Sequence, residues 1–126
     1  MPALTSDRDT PRREGDLFLF EAAAQIFAGA MVCLNAAGKL VPASATAGLT
    51  PVVGVSQASG PAGAGIEVAR GVFPFDALVS DAPGLPLVGT DCFAADDHTV
   101  QKTQGTNMPK AGTVFDVDDF GVWVKI

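Results

Sequence analysis

Residues 31–42 read MVCLNAAGKLVP, an apolar run followed by a turn and a second apolar run. Residues 31–34 are apolar, and residues 35–38 (NAAG) supply the Asn and Gly that suit the positive φ angles of a tight turn. Residues 39–41 then return as a partner strand. Pro42 ends that strand, because proline cannot donate a backbone hydrogen bond to a sheet. The stretch therefore predicts a β-hairpin.

Short apolar segments separated by turns continue on both sides of this hairpin. Gly54 predicts a close approach of two backbones or a bulge, and Pro74 predicts that its strand lies at a sheet edge. Residues 21–28 can form a helix of two turns or a strand. The pattern predicts an all-β fold, either a small β-barrel or a β-sandwich, with at most one short helix. Further strands are predicted at residues 52–55, 66–70, 72–79, 91–94, 99–103, 113–117 and 122–126, with Thr113, Phe115 and Val117 on one face of theirs.

The first 16 residues differ from the rest of the chain. They contain seven charged residues and two prolines, whereas the following 110 residues contain only 15 charged residues. So few apolar side chains cannot offset the entropy lost on ordering. We expect a flexible N-terminal arm at residues 1–16 and a single β domain at residues 17–126, which is one domain's length.

Composition and charge exclude several classes of protein. The net charge of −6, with one Trp and no Tyr, argues against nucleic-acid binding. Arg12 and Arg13 precede an apolar run and resemble a twin-arginine export signal. However, acidic residues surround the pair, Glu21 interrupts the run, and residues 22–34 are too short to span a bilayer. We expect no membrane association.

Candidate chemistry is sparse. His98 is the only histidine, and no nucleophile motif accompanies it. Aspartates 96, 97, 116, 118 and 119 could bind a hard cation, but they lack EF-hand spacing, and Asp commonly caps turns. The glycines of residues 60–65 precede no Lys-Ser/Thr pair and predict a plain loop. We therefore expect no catalytic residue, metal or cofactor.

The two cysteines, Cys33 and Cys92, show no CxxC spacing. Their expected role is that of small buried hydrophobic residues, and a disulfide in an oxidising compartment is the alternative.

The residues alone leave two functional classes open. One is a metal-assisted hydrolase that uses His98 with Asp96 and Asp97. The other is a β carrier or ligand-binding module. A carrier needs a modifiable lysine at the tip of a tight hairpin. Lys39 follows Gly38 at such a tip, but it lacks the flanking residues of lipoyl or biotinyl sites.

Three segments together resemble the small capsid decoration (cement) proteins of bacteriophages. Residues 26–59 follow that family's progression of glycine, apolar strand, glycine-containing turn, Val-Pro-Ala and then Val-Val-Gly-Val. Residues 87–103 (LVGTDCFAADDHTVQKT) and 111–126 (AGTVFDVDDFGVWVKI) are similar to its C-terminal part. The resemblance covers about half of the chain, and it rests on strands and turns rather than on catalytic motifs.

The resemblance implies a β-tulip-like domain and a non-enzymatic virion protein, made in the host cytoplasm. Such a protein binds the major capsid protein on the capsid exterior at subunit junctions and stabilises the shell, as a homotrimer at three-fold axes. Arg8, Arg12 and Arg13 of the N-terminal arm are then the expected shell contacts. Pro74 is expected at a strand edge that faces either solvent or the trimer seam.

Deleting residues 1–16 should leave a folded domain, because the deleted segment carries almost none of the chain's apolar side chains. The truncated protein should no longer coat capsids. Thermal unfolding followed by circular dichroism checks the first expectation, and co-sedimentation with shells checks the second. Full-strength coating by the truncated protein would refute a role for the arm.

Overall fold

The computed structural model describes Ala3, Thr5, Ser6 and residues 17–126, and regular structure in this part of the chain is almost entirely β. The predicted all-β fold is confirmed. Two short turns of 3-10 helix, Val79–Asp81 and Leu85–Leu87, are the helical elements of these residues. No helix within them has the length and apolarity needed to cross a membrane. The strands are β1 Leu17–Glu21, β2 Met31–Leu34, β3 Leu40–Pro42, β4 Gly54–Ser56, β5 Gly65–Ala69, β6 Val72–Ala77, β7 Asp91–Ala94, β8 Thr99–Gln101, β9 Lys110–Asp118 and β10 Gly121–Lys125.

The hairpin predicted from residues 31–42 is formed by β2 and β3, which pair antiparallel with Cys33 opposite Val41. The side chain of Asn35 holds the turn, because its Oδ1 accepts the backbone N–H groups of Ala37 and Lys39, both at 3.0 Å. Gly38 adopts a φ of 77°, which favours glycine. Local turn chemistry therefore sets the register of the hairpin.

The first five strands form an antiparallel sheet in the order β1-β5-β4-β2-β3. The sheet curls until its two ends meet: Ala22, just after β1, forms a parallel bridge with Leu40 of β3. The N–H of Ala23 donates to the Leu40 carbonyl oxygen at 2.8 Å. The curled sheet encloses a first core of buried side chains: Ala22, Ile26, Val32, Leu40, Ile66 and Val68.

The remaining strands form a closed barrel in the order β10-β6-β8-β7-β9, with β9 paired to β10. β6 and β8 are the parallel pair of this barrel. Its interior continues into the outer side of the curled sheet, so that the second core draws residues from both units: Met31, Cys33, Ala43, Val52, Val55, Phe75, Cys92, Ala94, Val100, Ala111, Val114, Val122 and Val124.

Strand β2 separates the two cores and contributes to both. Val32 points into the first core, whereas Met31 and Cys33 point into the second. A strand buried on both faces needs apolar residues at successive positions rather than in alternation. This explains why residues 31–33 form an uninterrupted, fully buried apolar run.

Several predicted elements differ in detail. Residues 21–28 form no helix; after β1, Ala22 and Ile26 make isolated bridges instead. The strand predicted at 72–79 ends at Ala77, because Val79 begins a 3-10 turn. A bulge interrupts β9, where Trp123 pairs with Asp116 but Val124 pairs with Val114. The intervening Phe115 is turned outward and is 55% exposed, so the predicted alternation fails there.

Both cysteines are buried and free, as expected, and no disulfide forms. Burial raises the pKa of the Cys33 thiol to about 12 and that of the Cys92 thiol to about 11. Since the thiolate is the nucleophile, both groups are inert packing residues at neutral pH.

Replacing Gly54 by alanine should destabilise the fold. The added Cβ would lie 2.5 Å from the Ala69 carbonyl oxygen and 2.5 Å from the Val68 Cγ1, so β4 and β5 would have to separate. Overpacking of this kind typically costs about 1–3 kcal/mol of unfolding free energy. Urea denaturation measures the loss of unfolding free energy. Gly84→Ala is the control, because a Cβ at Gly84 meets only Pro86 Cδ, at 3.6 Å. Equal stabilities of the two variants would contradict the close approach.

Candidate attachment surface

Of the contact residues that the resemblance implies, the structure describes Pro74. Arg8, Arg12 and Arg13 lie outside the described residues. Pro74 lies on β6 opposite Trp123 of β10, and its side chain is exposed. On the other side of β6, strand β8 pairs only with Asp76 and Ala77. Pro74 therefore sits where its strand has one neighbour, and its place at an oligomer seam stays a prediction.

A cluster of titratable side chains surrounds His98, in the turn between β7 and β8. The ring Nδ1 lies 3.1 Å from Asp76 Oδ2 and 3.2 Å from the Thr99 hydroxyl, and the ring Nε2 lies 3.5 Å from Asp96 Oδ1. The hydrogen bond to Asp76, followed by the charge of Asp96, raises the pKa of His98 above its ordinary value. The ring faces solvent, with 63% of the side-chain surface exposed.

This arrangement does not provide a catalytic relay. A relay requires the nucleophile and the orienting acid on opposite ring nitrogens. Here Asp76 and Thr99 share Nδ1, and the second nitrogen faces another carboxylate. Solvent exposure also leaves charge–charge interactions weak. The hydrolase alternative therefore gains no support from the geometry around His98.

Two of the aspartates that could have bound a cation cap turns. Asp96 Oδ1 accepts the His98 backbone N–H at 2.9 Å, and Asp118 Oδ1 accepts that of Phe120 at 2.8 Å. Ligand atoms of Asp96, Asp97 and His98 do lie within 4.8 Å of one another, but exposed acidic groups commonly cluster without a metal. The turn interpretation predicted from the sequence accounts for the hydrogen bonds of Asp96 and Asp118.

Two other sequence candidates also have structural roles. The Lys39 ammonium lies 3.6 Å from the Glu21 carboxylate, which links the turn to β1. In the glycine-rich loop, Gly60 exchanges two backbone hydrogen bonds with Ile26, at 2.9 and 3.0 Å. The loop thus closes the first core.

An exposed apolar surface is the most distinctive feature of the described residues. It is centred on the segment between β6 and β7, residues 78–88, which we call the apolar loop. Val79 is 97% exposed and Leu85 is 59% exposed, and Leu78 and Val88 are exposed as well. This concentration of exposed apolar side chains in one segment makes it the candidate interaction site.

Hydrogen bonds anchor the apolar loop near both of its ends. The Asp81 carboxylate accepts the Thr103 backbone N–H at 2.9 Å and the Thr103 hydroxyl at 3.2 Å. At the other end, Gly89 N–H donates to the Val114 carbonyl oxygen at 2.8 Å. A loop fixed in this way loses little entropy on binding.

The bulged Phe115 is a further exposed apolar side chain, on the strand that pairs with the end of this segment. It follows Val114, which is hydrogen-bonded to Gly89 and Thr90, immediately after the apolar loop. The sequence analysis predicts no interaction surface here. The available signal was the set of apolar residues between the Pro and Gly residues of residues 83–89, because loops are ordinarily polar. The bulge that exposes Phe115 depends on pairing with β10 and has no local signal.

Other exposed apolar residues are more dispersed. Leu17 and Leu19 lie on β1, and Phe27 lies in the segment before β2. Phe120, at the tip of the β9–β10 hairpin, packs edge-on against Trp123, with ring centroids 6.4 Å apart and an interplanar angle of 74°.

Comparisons with known proteins identify no relative: no protein-family model, curated protein or solved structure matches the chain.

His98 should titrate above pH 6.5, its ordinary value, and Asp76→Asn should lower its pKa. The pair should stabilise the fold below about pH 6.5, and this contribution should vanish as the pH rises through the higher folded pKa. Because the pair is exposed, it should be worth less than about 1 kcal/mol. NMR titration of this single histidine tests the shift.

Asp97→Asn is the control, because the charge of Asp97 raises the pKa of His98 less than the Asp76 hydrogen bond does. Identical titration of both variants would contradict the assignment.

Proposed function

We propose that this protein decorates a bacteriophage capsid, binding the outside of the shell at junctions between subunits and stabilising it. The observation that carries the proposal is the hydrogen-bonded apolar loop on a small β domain, with Val79 almost fully exposed. The resemblance of residues 26–59, 87–103 and 111–126 to decoration proteins supplies the identity of the partner, the major capsid protein.

Attachment through this surface follows from elementary energetics. Apolar surface removed from water contributes roughly 25 cal/mol per Å². The apolar loop leaves Val79 and Leu85 in water in the free protein, so a partner that covers them gains this term. A rigid domain bound across a seam between two subunits raises the free energy needed to separate them. Repetition over a closed lattice multiplies the effect of each copy.

The charge distribution suits an outward-facing domain. Residues 17–126 carry ten Asp and Glu residues against five Lys and Arg residues. A net negative domain stays soluble and resists nonspecific association. The N-terminal arm contains three of the eight Lys and Arg residues, Arg8, Arg12 and Arg13. An arm that orders on the shell would add contacts at an entropic cost.

A homotrimer at three-fold axes fits this role. Cyclic symmetry matches a three-fold site on the shell and covers strand edges that would otherwise stay exposed. The stretch of β6 around Pro74 pairs with β10 alone. A neighbouring copy could cover this edge.

Replacing Val79 and Leu85 by serine should weaken binding to shells more than tenfold, because full burial of each side chain is worth about 1.5–3 kcal/mol. Both side chains are exposed in the free protein, so its thermal stability should not change. Co-sedimentation with shells of the major capsid protein from the same genome measures the affinity.

Phe27→Ser is the matched control, since Phe27 is similarly exposed, at 65%, but lies outside the apolar loop. Equal binding by the double variant and the control would contradict attachment through the loop. A wild-type protein that does not bind shells would refute the decoration role itself.

A further inference from the structure

A cationic cleft lies where the curled sheet meets the barrel. It has a volume of about 550 Å³ and is lined by Arg70, Lys110 and Lys125, among others. An adjoining depression of about 330 Å³ shares Arg70 and adds the rings of Phe18 and Phe20. Both volumes lie in the range typical of binding pockets. We call the two together the junction cleft.

The junction cleft concentrates positive charge in a negatively charged domain. Residues 17–126 contain five Lys and Arg residues, and three of them line the cleft. Its lining includes no Asp or Glu. Lys110 is partly neutralised by Asp91 at 3.1 Å, whereas Arg70 and Lys125 have no ion-pair partner among the described residues. A ligand for the cleft should therefore carry at least two negative charges beside an apolar group.

The tip of the β9–β10 hairpin has this chemistry. Asp118 and Asp119 are exposed there, and Phe120 follows them with 78% of its surface exposed. The Asp118 carboxylate holds the Phe120 backbone N–H at 2.8 Å, and the Phe120 ring rests on Trp123. The tip thus presents two carboxylates next to an exposed aromatic side chain.

The tip cannot reach the cleft of its own chain. Lys110 lines the cleft and Asp118 lies at the tip, and these residues are the two ends of β9. At about 3.3 Å per residue, a strand of this length separates them by roughly 25 Å. Only the tip of another copy can enter the cleft.

We propose that the protein associates with itself head to tail, with the hairpin tip at Asp118–Phe120 of one copy bound in the junction cleft of the next. Asp118 and Asp119 pair with Arg70 and Lys125, and Phe120 packs on Phe18 and Phe20. Such an interface joins two different surfaces, so it closes into a ring when the rotation between copies permits. The inference deepens the proposed homotrimer and does not depend on shell attachment.

Sedimentation analysis of the full-length protein without shells tests the interface. The wild type should self-associate, and high salt should weaken the association. Arg70→Glu/Lys125→Glu and Asp118→Lys/Asp119→Lys should each weaken it about tenfold or more, because both place like charges together. An equimolar mixture of the two variants should associate again, because the acidic tip of the first fits the unchanged cleft of the second. This rescue excludes misfolding as the cause.

Lys39→Glu/Lys102→Glu is the matched control for Arg70→Glu/Lys125→Glu, with the same change of net charge outside the cleft, and it should associate as the wild type does. A monomeric wild type, self-association unaffected by both charge reversals, or a mixture that stays monomeric would each overturn the interface. Because no shells are present, none of these results would bear on the decoration role.

Discussion

Burial of β2 on both faces packs the curled sheet and the barrel against a shared strand. Its residues alternate between two cores, with Val32 in the curled sheet and Met31 and Cys33 in the core shared with the barrel. The two units therefore share a strand rather than a flexible linker. The Met31 N–H also donates to the Asp97 carbonyl oxygen at 2.8 Å, which ties β2 to the β7–β8 turn. This rigidity fixes the surfaces of both units relative to each other.

The sequence predicted most of the strands because their signals are local. The turn residues Asn35 and Gly38 mark a hairpin, and the apolar run at residues 31–34 marks a strand. Features that depend on distant pairing were not predictable. The bulge that exposes Phe115 arises from pairing with β10, and the closure of the first sheet arises from a bridge between Ala22 and Leu40.

The same distinction applies to the candidate surfaces. His98 and the aspartates are candidates in the sequence because their side chains can act in catalysis or bind a cation. In the structure, the contacts of His98, Asp96 and Asp118 are those of capped, solvent-exposed turns. The apolar loop and the junction cleft combine ordinary residues from separate elements. Lys110 and Lys125 become neighbours of Arg70 only when β9, β10 and the end of β5 meet. Proteins that act by attachment carry this kind of signal, which resides in surface shape and exposure rather than in motifs.

Binding through buried contact, without a bond-making centre, is thus the proposed mode of action. Its most direct test is a cryo-EM reconstruction of capsid shells incubated with the protein. The account predicts density for the β domain above the junctions between capsid subunits, with residues 78–88 against the shell. Shells that remain bare at saturating protein, or density in which residues 78–88 face solvent, would contradict it.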